Sequence, residues 1–146
     1  MLLEVKIDSL YIEPKVVILT ASMTEEVNIL LNQLSDRAPQ MISGSRGNKI
    51  EVIEQADLIR IYASAGKVFA VTHKGEYALR LRLYEIEERL PPHQFVRISN
   101  SEIINLKRVD SFDLSVTGTI CVKLENDTIT YVSRRYVSKL KKILGI

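Results

Sequence analysis

The sequence predicts a mainly β protein, α+β overall, whose strands form packed antiparallel sheets accompanied by short helices. Three observations lead to this class. Apolar and polar residues alternate through residues 77–83, which is the period of a half-buried strand. Turn-forming residues separate such segments at short intervals, as at residues 44–49 and Thr117-Gly118. Apolar residues at helical spacing occur only in short segments.

The first 48 residues are predicted to form a small strand-strand-helix extension. Leu3, Val5 and Ile7 alternate with charged residues, as in a strand, and residues 16–19 are a second strand candidate. Residues 22–25 fit a capping box with the hydroxyl of Ser22 at the N-cap. The helix that follows has one apolar stripe, formed by Val27, Leu30, Leu31 and Leu34.

This extension is too small to bury much surface alone. Its stripe is therefore expected to pack on the β domain or on a second copy of the chain. We favour the second copy, which predicts a homodimer. Residues 44–49 predict a hairpin turn or a domain boundary, and the second domain is accordingly placed at residues 49–146.

The second domain is predicted to contain many strands and two helices. Leu83 begins a helix that ends near Leu90, before Pro91-Pro92. A closing helix has one stripe of Val137, Leu140 and Leu144. The predicted strands lie near residues 50–53, 58–62, 68–71, 77–83, 95–98, 109–116, 120–124 and 128–132, with residues 99–108 read as a turn.

Composition is ordinary for a folded protein, with 46% hydrophobic and 26% charged residues in a chain of 146. Cys121 is the single cysteine, so no intrachain disulfide can form. The N-terminus lacks the pattern of a signal peptide, and no apolar run approaches the roughly 18 residues that a membrane span needs. We expect a cytoplasmic protein.

The charge is unevenly distributed along the chain. Residues 1–94 carry a net charge of −2 and residues 95–146 carry +4. Lys141 and Lys142 suit the C-terminal end of a helix, where cations complement the helix dipole. Arg134 and Arg135 would lie at the start of the same helix, where cations are disfavoured. A polyanion partner would explain them.

No constellation typical of an enzyme is evident. His73 and His93 have no Cys, Asp or Glu at metal-ligand spacing, and Cys121 has no partner that would make it a nucleophile. The serines lie in no Gly-x-Ser-x-Gly context. We expect no enzymatic activity, cofactor, metal or small-molecule substrate.

Four blocks follow one another along the second domain: DLIRIYA at 57–63, LYEIEERL at 83–90, FVRISNS at 95–101 closed by INL at 104–106, and VSRRY at 132–136. Together they resemble the LytTR family of bacterial DNA-binding domains. The resemblance implies packed antiparallel sheets whose loops enter successive DNA major grooves, with dimers or paired copies reading repeats upstream of promoters. The implied function is a sequence-specific transcriptional regulator of bacterial promoters that binds double-stranded DNA.

The resemblance also implies how the regulator is controlled. Many members carry a phosphorylatable receiver domain, for which residues 1–48 are too short. The chain is therefore expected to be a stand-alone regulator, controlled by a partner, often a membrane protein that inhibits it or signals to it.

The same resemblance assigns roles to individual residues. Asn100 matches a base-reading position, and its amide can bond adenine bidentately. Arg135 matches another reading position and Lys67 lies on a loop that enters the groove. Arg97, Ser101 and Ser133 match positions that contact phosphate. Arg134 lies next to Arg135 and is expected to share its role. Arg80 and Arg82 match a strand that faces the DNA.

Structural interpretations of these residues remain open. Asn100 could shape an Asx turn, Arg97 could be a solvated strand arginine, and Asn105 is read as a buried structural amide. The alternative function is a β-rich protein-interaction or effector-sensing module without strong DNA binding. Convergence on one electropositive face would favour DNA binding, and the residues to compare are Lys67, Arg97, Asn100, Arg134 and Arg135.

Overall fold

The computed structural model describes residues 1–34 and 41–146 and divides the chain into two compact units, residues 1–38 and 39–146. The regular element described in the first unit is helix α1, Glu25–Leu34. Thr24 caps it, because its Oγ1 accepts a hydrogen bond from the Val27 amide at 3.3 Å. Glu25 and Glu26 occupy the first turn, where carboxylates complement the helix dipole.

The prediction of two strands in the extension is wrong for the single chain. Residues 1–24 contain neither helix nor strand, and Leu3, Val5 and Ile7 are exposed. Alternation specifies which side chains share a face, but a strand also needs a hydrogen-bonded neighbour. The predicted cap is also displaced, since the helix begins after Thr24 and not after Ser22.

The second unit contains ten strands, two α-helices and two single-turn 3-10 helices, Gln55–Asp57 and Leu106–Arg108, among the residues described. The strands are β1 (Ile42–Arg46), β2 (Lys49–Ile53), β3 (Leu58–Ser64), β4 (Lys67–Thr72), β5 (Gly75–Leu79), β6 (Phe95–Ser99), β7 (Glu102–Asn105), β8 (Val109–Asp113), β9 (Ile120–Leu124) and β10 (Ile129–Val132). The α-helices are α2 (Leu83–Arg89) and α3 (Arg134–Leu144).

Two antiparallel sheets organise this unit. The larger has seven strands in the order β2-β1-β5-β4-β3-β7-β6, and the smaller has the order β10-β9-β8. The turn between β3 and β4 has Ala65 at φ +51° and Gly66 at φ +76°. Positive φ at both central residues matches the twist of the flanking strands, so this two-residue turn fixes the register Ser64↔Lys67.

The hydrophobic core consists of two clusters. One contains residues of α2 together with residues of the large sheet, among them Leu58, Ile86 and Ile103. The other contains residues of β3, β6 and β7 together with residues of the small sheet and α3, among them Ile104 and Leu140. Strand β7 contributes to both clusters, because Ile103 and Ile104 point to opposite faces.

The predicted fold class is confirmed, and most of its elements lie where the sequence placed them. The exceptions have physical reasons. Strand β7 was missed because both of its faces are buried, so it shows no apolar-polar alternation. Strand β5 ends at Leu79, before the predicted end, and β8 ends at Asp113. The hairpin turn at residues 47–48 is confirmed, and β1 before it belongs to the large sheet.

Candidate nucleic-acid interface

Several turns of the second unit lie at one end of the large sheet. Ser64 pairs with Lys67, and Val68 pairs with Leu79, so Arg80 directly follows β5 at this end. The turn between β6 and β7 lies here too, because the Ala63 amide donates to the Ser101 carbonyl at 2.8 Å. Antiparallel pairing therefore brings together residues that are distant in the sequence.

The β6–β7 turn is held in shape by Arg97. Its guanidinium donates to the carbonyl oxygens of Ser99 at 2.7 Å and Asn100 at 2.6 Å, and to Glu87 Oε2 at 2.8 Å. The side chain of Arg97 is only 15% exposed. The Ser101 amide also donates to Ser99 Oγ at 3.1 Å. The turn therefore has a defined backbone, anchored through Glu87 to helix α2.

The start of helix α3 is attached to the same turn. The Ser133 amide donates to the Ile98 carbonyl at 2.9 Å. The Tyr136 hydroxyl donates to Asn100 Oδ1 at 3.1 Å. This bond orients the exposed Asn100 amide, whose Nδ2 has no hydrogen-bond acceptor among the residues described. Asn100 and the first turn of α3 thus form one continuous surface.

The N-terminal end of α3 has an unusual electrostatic character. Ser133 occupies the N-cap position, but its side chain makes no capping hydrogen bond, and the first turn has no acidic residue. Arg134 and Arg135 are both exposed there. Two cations beside the positive end of a helix dipole repel it, and an anion bound at this end would relieve that repulsion.

The β8–β9 loop borders this helix end. Thr119 Oγ1 donates to the Val132 carbonyl, directly before the helix. Gly118 has a φ of +81°, and a Cβ added to it would lie 3.3 Å from Arg134 Nε. In the same loop, the Ser115 hydroxyl and amide donate to Asp113 and lower the pKa of its carboxyl group.

The exposed cations of this surface differ from three arginines of the unit that are held in ion pairs. Arg60, Arg97 and Arg108 are paired with Glu102, Glu87 and Glu125. No described carboxylate lies within ion-pairing distance of the exposed set. That set consists of Lys67, Arg80, Arg82, Arg134 and Arg135.

The residues predicted to bind DNA largely converge. Lys67, Arg80, Asn100 and Ser101 lie at this end of the sheet, joined there by the start of α3 with Ser133, Arg134 and Arg135. Arg80 and Arg82 follow β5 and do not lie within a strand, and Arg82 directly precedes α2. Arg97 is neither solvated nor free, since its side chain is bonded within the chain.

Two residues that shape this surface were not singled out from the sequence. Tyr136 orients Asn100, and Glu87 holds Arg97. Tyr136 closes the VSRRY block, so its position was a usable signal, whereas Glu87 looks like any surface carboxylate of an amphipathic helix. Asn105 is confirmed as a buried structural amide: its Nδ2 donates to the Leu58 carbonyl at 2.7 Å.

The architecture and its electropositive end define a DNA-binding module built mainly from β-strands. The family model of the LytTr DNA-binding domain matches residues 48–145. The chain therefore belongs to the LytTR family, and it is a DNA-binding transcriptional regulator whose partner is DNA.

Known proteins similar to this chain agree with the assignment. "Uncharacterized HTH-type transcriptional regulators" of Staphylococcus aureus strains NCTC 8325 / PS 47 and MRSA252 are each 34% identical over 125 residues, covering 85% of this chain and 84% of the relative. A solved LytTr DNA-binding domain from Bacillus cereus, of a protein described as a methyl-accepting/DNA response regulator, superimposes with a TM-score of 0.70. It is 20% identical and covers 73% of this chain and 97% of its own.

The candidate interface does not contain the two consecutive helices of a helix-turn-helix motif. In the part of the chain that the structure describes, strands β6 to β10 separate α2 from α3.

No described helix is long and apolar enough to cross a membrane.

Proposed function

We propose that the β6–β7 turn and the first turn of α3 enter the DNA major groove together, at repeated sites in bacterial promoters. The observation that carries this proposal is the hydrogen bond from Tyr136 to Asn100 Oδ1. It couples a side chain that can read a base edge to a helix end that can bind phosphate. With Oδ1 accepting one hydrogen bond from Tyr136, the amide can still donate from Nδ2 to adenine N7 and accept from adenine N6 with the second lone pair of Oδ1.

The residues divide into readers, anchors and one positioning residue. Asn100 and Arg135 read base edges. Arg97 positions the turn and does not contact phosphate itself, because its donors are bonded to Ser99, Asn100 and Glu87. The anchors supply charge or hydroxyl groups to the phosphates on either side; they are Lys67, Arg80, Arg82, Ser101, Ser133 and Arg134.

The N-terminal unit completes the proposal. It joins two copies into a homodimer, so that two β units reach repeats about one helical turn of DNA apart. Residues 1–34 retain many exposed apolar side chains, which supports an interface there. A membrane protein that inhibits or signals to this unit would control the regulator in the cytoplasm, and the chain binds its DNA without catalysing a reaction.

Selection of bound sequences from a random DNA pool tests the reading assignment. We expect a repeated motif. Asn100→Ala and Arg135→Ala should each lose about 1–3 kcal/mol on that motif and relax preference at one position. Arg134→Ala should weaken all sequences alike and reduce the slope of log affinity against log salt by about one. Unchanged base preference in both reader variants would refute the assignment.

A further inference from the structure

The N-terminal segment exposes an unusual amount of apolar surface. Leu3, Val5 and Ile7 are 92%, 78% and 98% exposed. The segment ends at Asp8, whose Oδ1 accepts from the Leu10 amide at 2.9 Å and whose carbonyl accepts from the Tyr11 amide at 3.2 Å. Residues 3–7 belong to no helix and pair with no described strand, and an apolar segment with unpaired backbone groups is a template for pairing with another strand.

The sequence of this segment is complementary to itself in the antiparallel direction. With Val5 opposite Val5 of a second copy, Leu3 lies opposite Ile7 and Glu4 lies opposite Lys6. Side chains alternate across a strand, so the apolar residues share one face of the pair and the charged residues share the other. Opposite charges directly across a strand pair stabilise it.

We propose that residues 3–7 pair antiparallel with the same residues of a second copy, about a two-fold axis through Val5. This gives the homodimer of the proposed function its physical basis, and it does not depend on which residues read DNA. Because both copies use the same patch, the contact closes on itself and does not build a filament.

Two paired strands alone are marginal in water, so the apolar face of the ribbon needs a cover. The N-terminal unit supplies one, since it has further exposed apolar residues in each copy. They are Val16, Val17, Leu19, Ile29, Leu31 and Leu34.

The charge of the unit favours a second copy over a membrane surface as the occupant. The side chains of residues 1–34 include five carboxylates and two lysines. An anionic lipid surface attracts clustered cations and would repel this unit. Glu4 and Lys6 lie 4.0 Å apart within the single chain, and in the antiparallel pair each would face the opposite charge of the second copy.

A charge exchange tests the register, with sedimentation of the full chain as the measurement. In Glu4→Lys and in Lys6→Glu, like charges face each other twice, and we expect the dimer dissociation constant to rise about tenfold or more in each. An equimolar mixture of the two variants should form heterodimers near wild-type strength, and the double variant E4K/K6E should recover as a homodimer. The proposal is overturned if the wild type stays monomeric at high concentration. It is also overturned if mixing the two single variants does not restore dimer formation.

A disulfide test locates the axis independently. Cα atoms directly opposite in an antiparallel pair lie about 4.5–5.5 Å apart, which a disulfide can bridge. Val5→Cys should therefore form a dimer under mild oxidation. Ile7→Cys should not, because two such cysteines would be separated by several residues along the ribbon, and wild type with Cys121 alone is the background control. Equal cross-linking of both variants would refute this register.

The two proposals fail separately. DNA containing a single copy of the selected motif reports on the β unit alone, so the charge variants should bind it like wild type while binding two-repeat DNA more weakly. Loss of single-repeat binding in these variants would contradict the inference, whereas a dimer without base preference would contradict the reading assignment only.

Discussion

Replacing Tyr136 by phenylalanine isolates the bond that orients Asn100. The variant removes one hydroxyl, which donates to Asn100 Oδ1 at 3.1 Å, and keeps the half-buried ring. A net hydrogen bond contributes about 0.5–1.5 kcal/mol, so we expect a loss of about two- to tenfold in affinity for the preferred site. The free energy of unfolding should fall by less than about 1 kcal/mol, because the bond lies at an exposed site.

Fluorescence anisotropy on the selected site and on its single-base variants measures this effect. If the hydroxyl acts through Asn100, Tyr136→Phe should cost almost nothing in an Asn100→Ala background, giving a non-additive double-mutant cycle. Tyr84→Phe is a matched control, since Tyr84 is exposed and its hydroxyl makes no hydrogen bond within the described residues. Additive losses would show that Tyr136 does not act through Asn100, and would refute the reasoning.

Three further variants test the scaffold of this surface. Arg97→Ala should lower the free energy of unfolding by about 1–3 kcal/mol in chemical denaturation, and weaken DNA binding through a disordered turn. Asn105→Ala should cost about 1–3 kcal/mol of stability by leaving the buried Leu58 carbonyl unpaired, with the DNA sequence preference of the folded protein unchanged in a selection experiment. Gly118→Ala should reduce DNA affinity by displacing Arg134, and lower the melting temperature through its left-handed backbone, whereas Gly145→Ala, whose Cβ meets no neighbour, should spare DNA binding.

The fold class was accessible from the sequence because most strands of the second unit have one buried and one exposed face. Strand β7 was not, since Ile103 and Ile104 belong to opposite core clusters. Its polar first and last residues are bonded internally, Glu102 to Thr130 and Asn105 to Leu58. The strands expected near the N-terminus show the converse case. Their pattern is that of a strand, but residues 1–24 pair with none of the described strands.

The site was partly accessible for a related reason. Residue type indicates what a side chain can bind, so Asn100, Arg134 and Arg135 could be singled out as candidate DNA contacts. Residue type does not reveal which groups are already bonded inside the fold. Arg97 looked like a phosphate ligand, and only the three-dimensional arrangement with Glu87 and the turn carbonyls shows that its donors are taken.

The hydrogen bonds of Arg97 to main-chain carbonyls have an evolutionary consequence. Every residue type has a backbone carbonyl, so the conformation of the turn does not depend on which side chain stands at position 100. Under the proposed reading role of Asn100, a single codon change there would give the regulator a new operator preference without a new fold. Descendants of one ancestral gene could therefore acquire separate target promoters after duplication, which is how a small regulator can diversify within one genome.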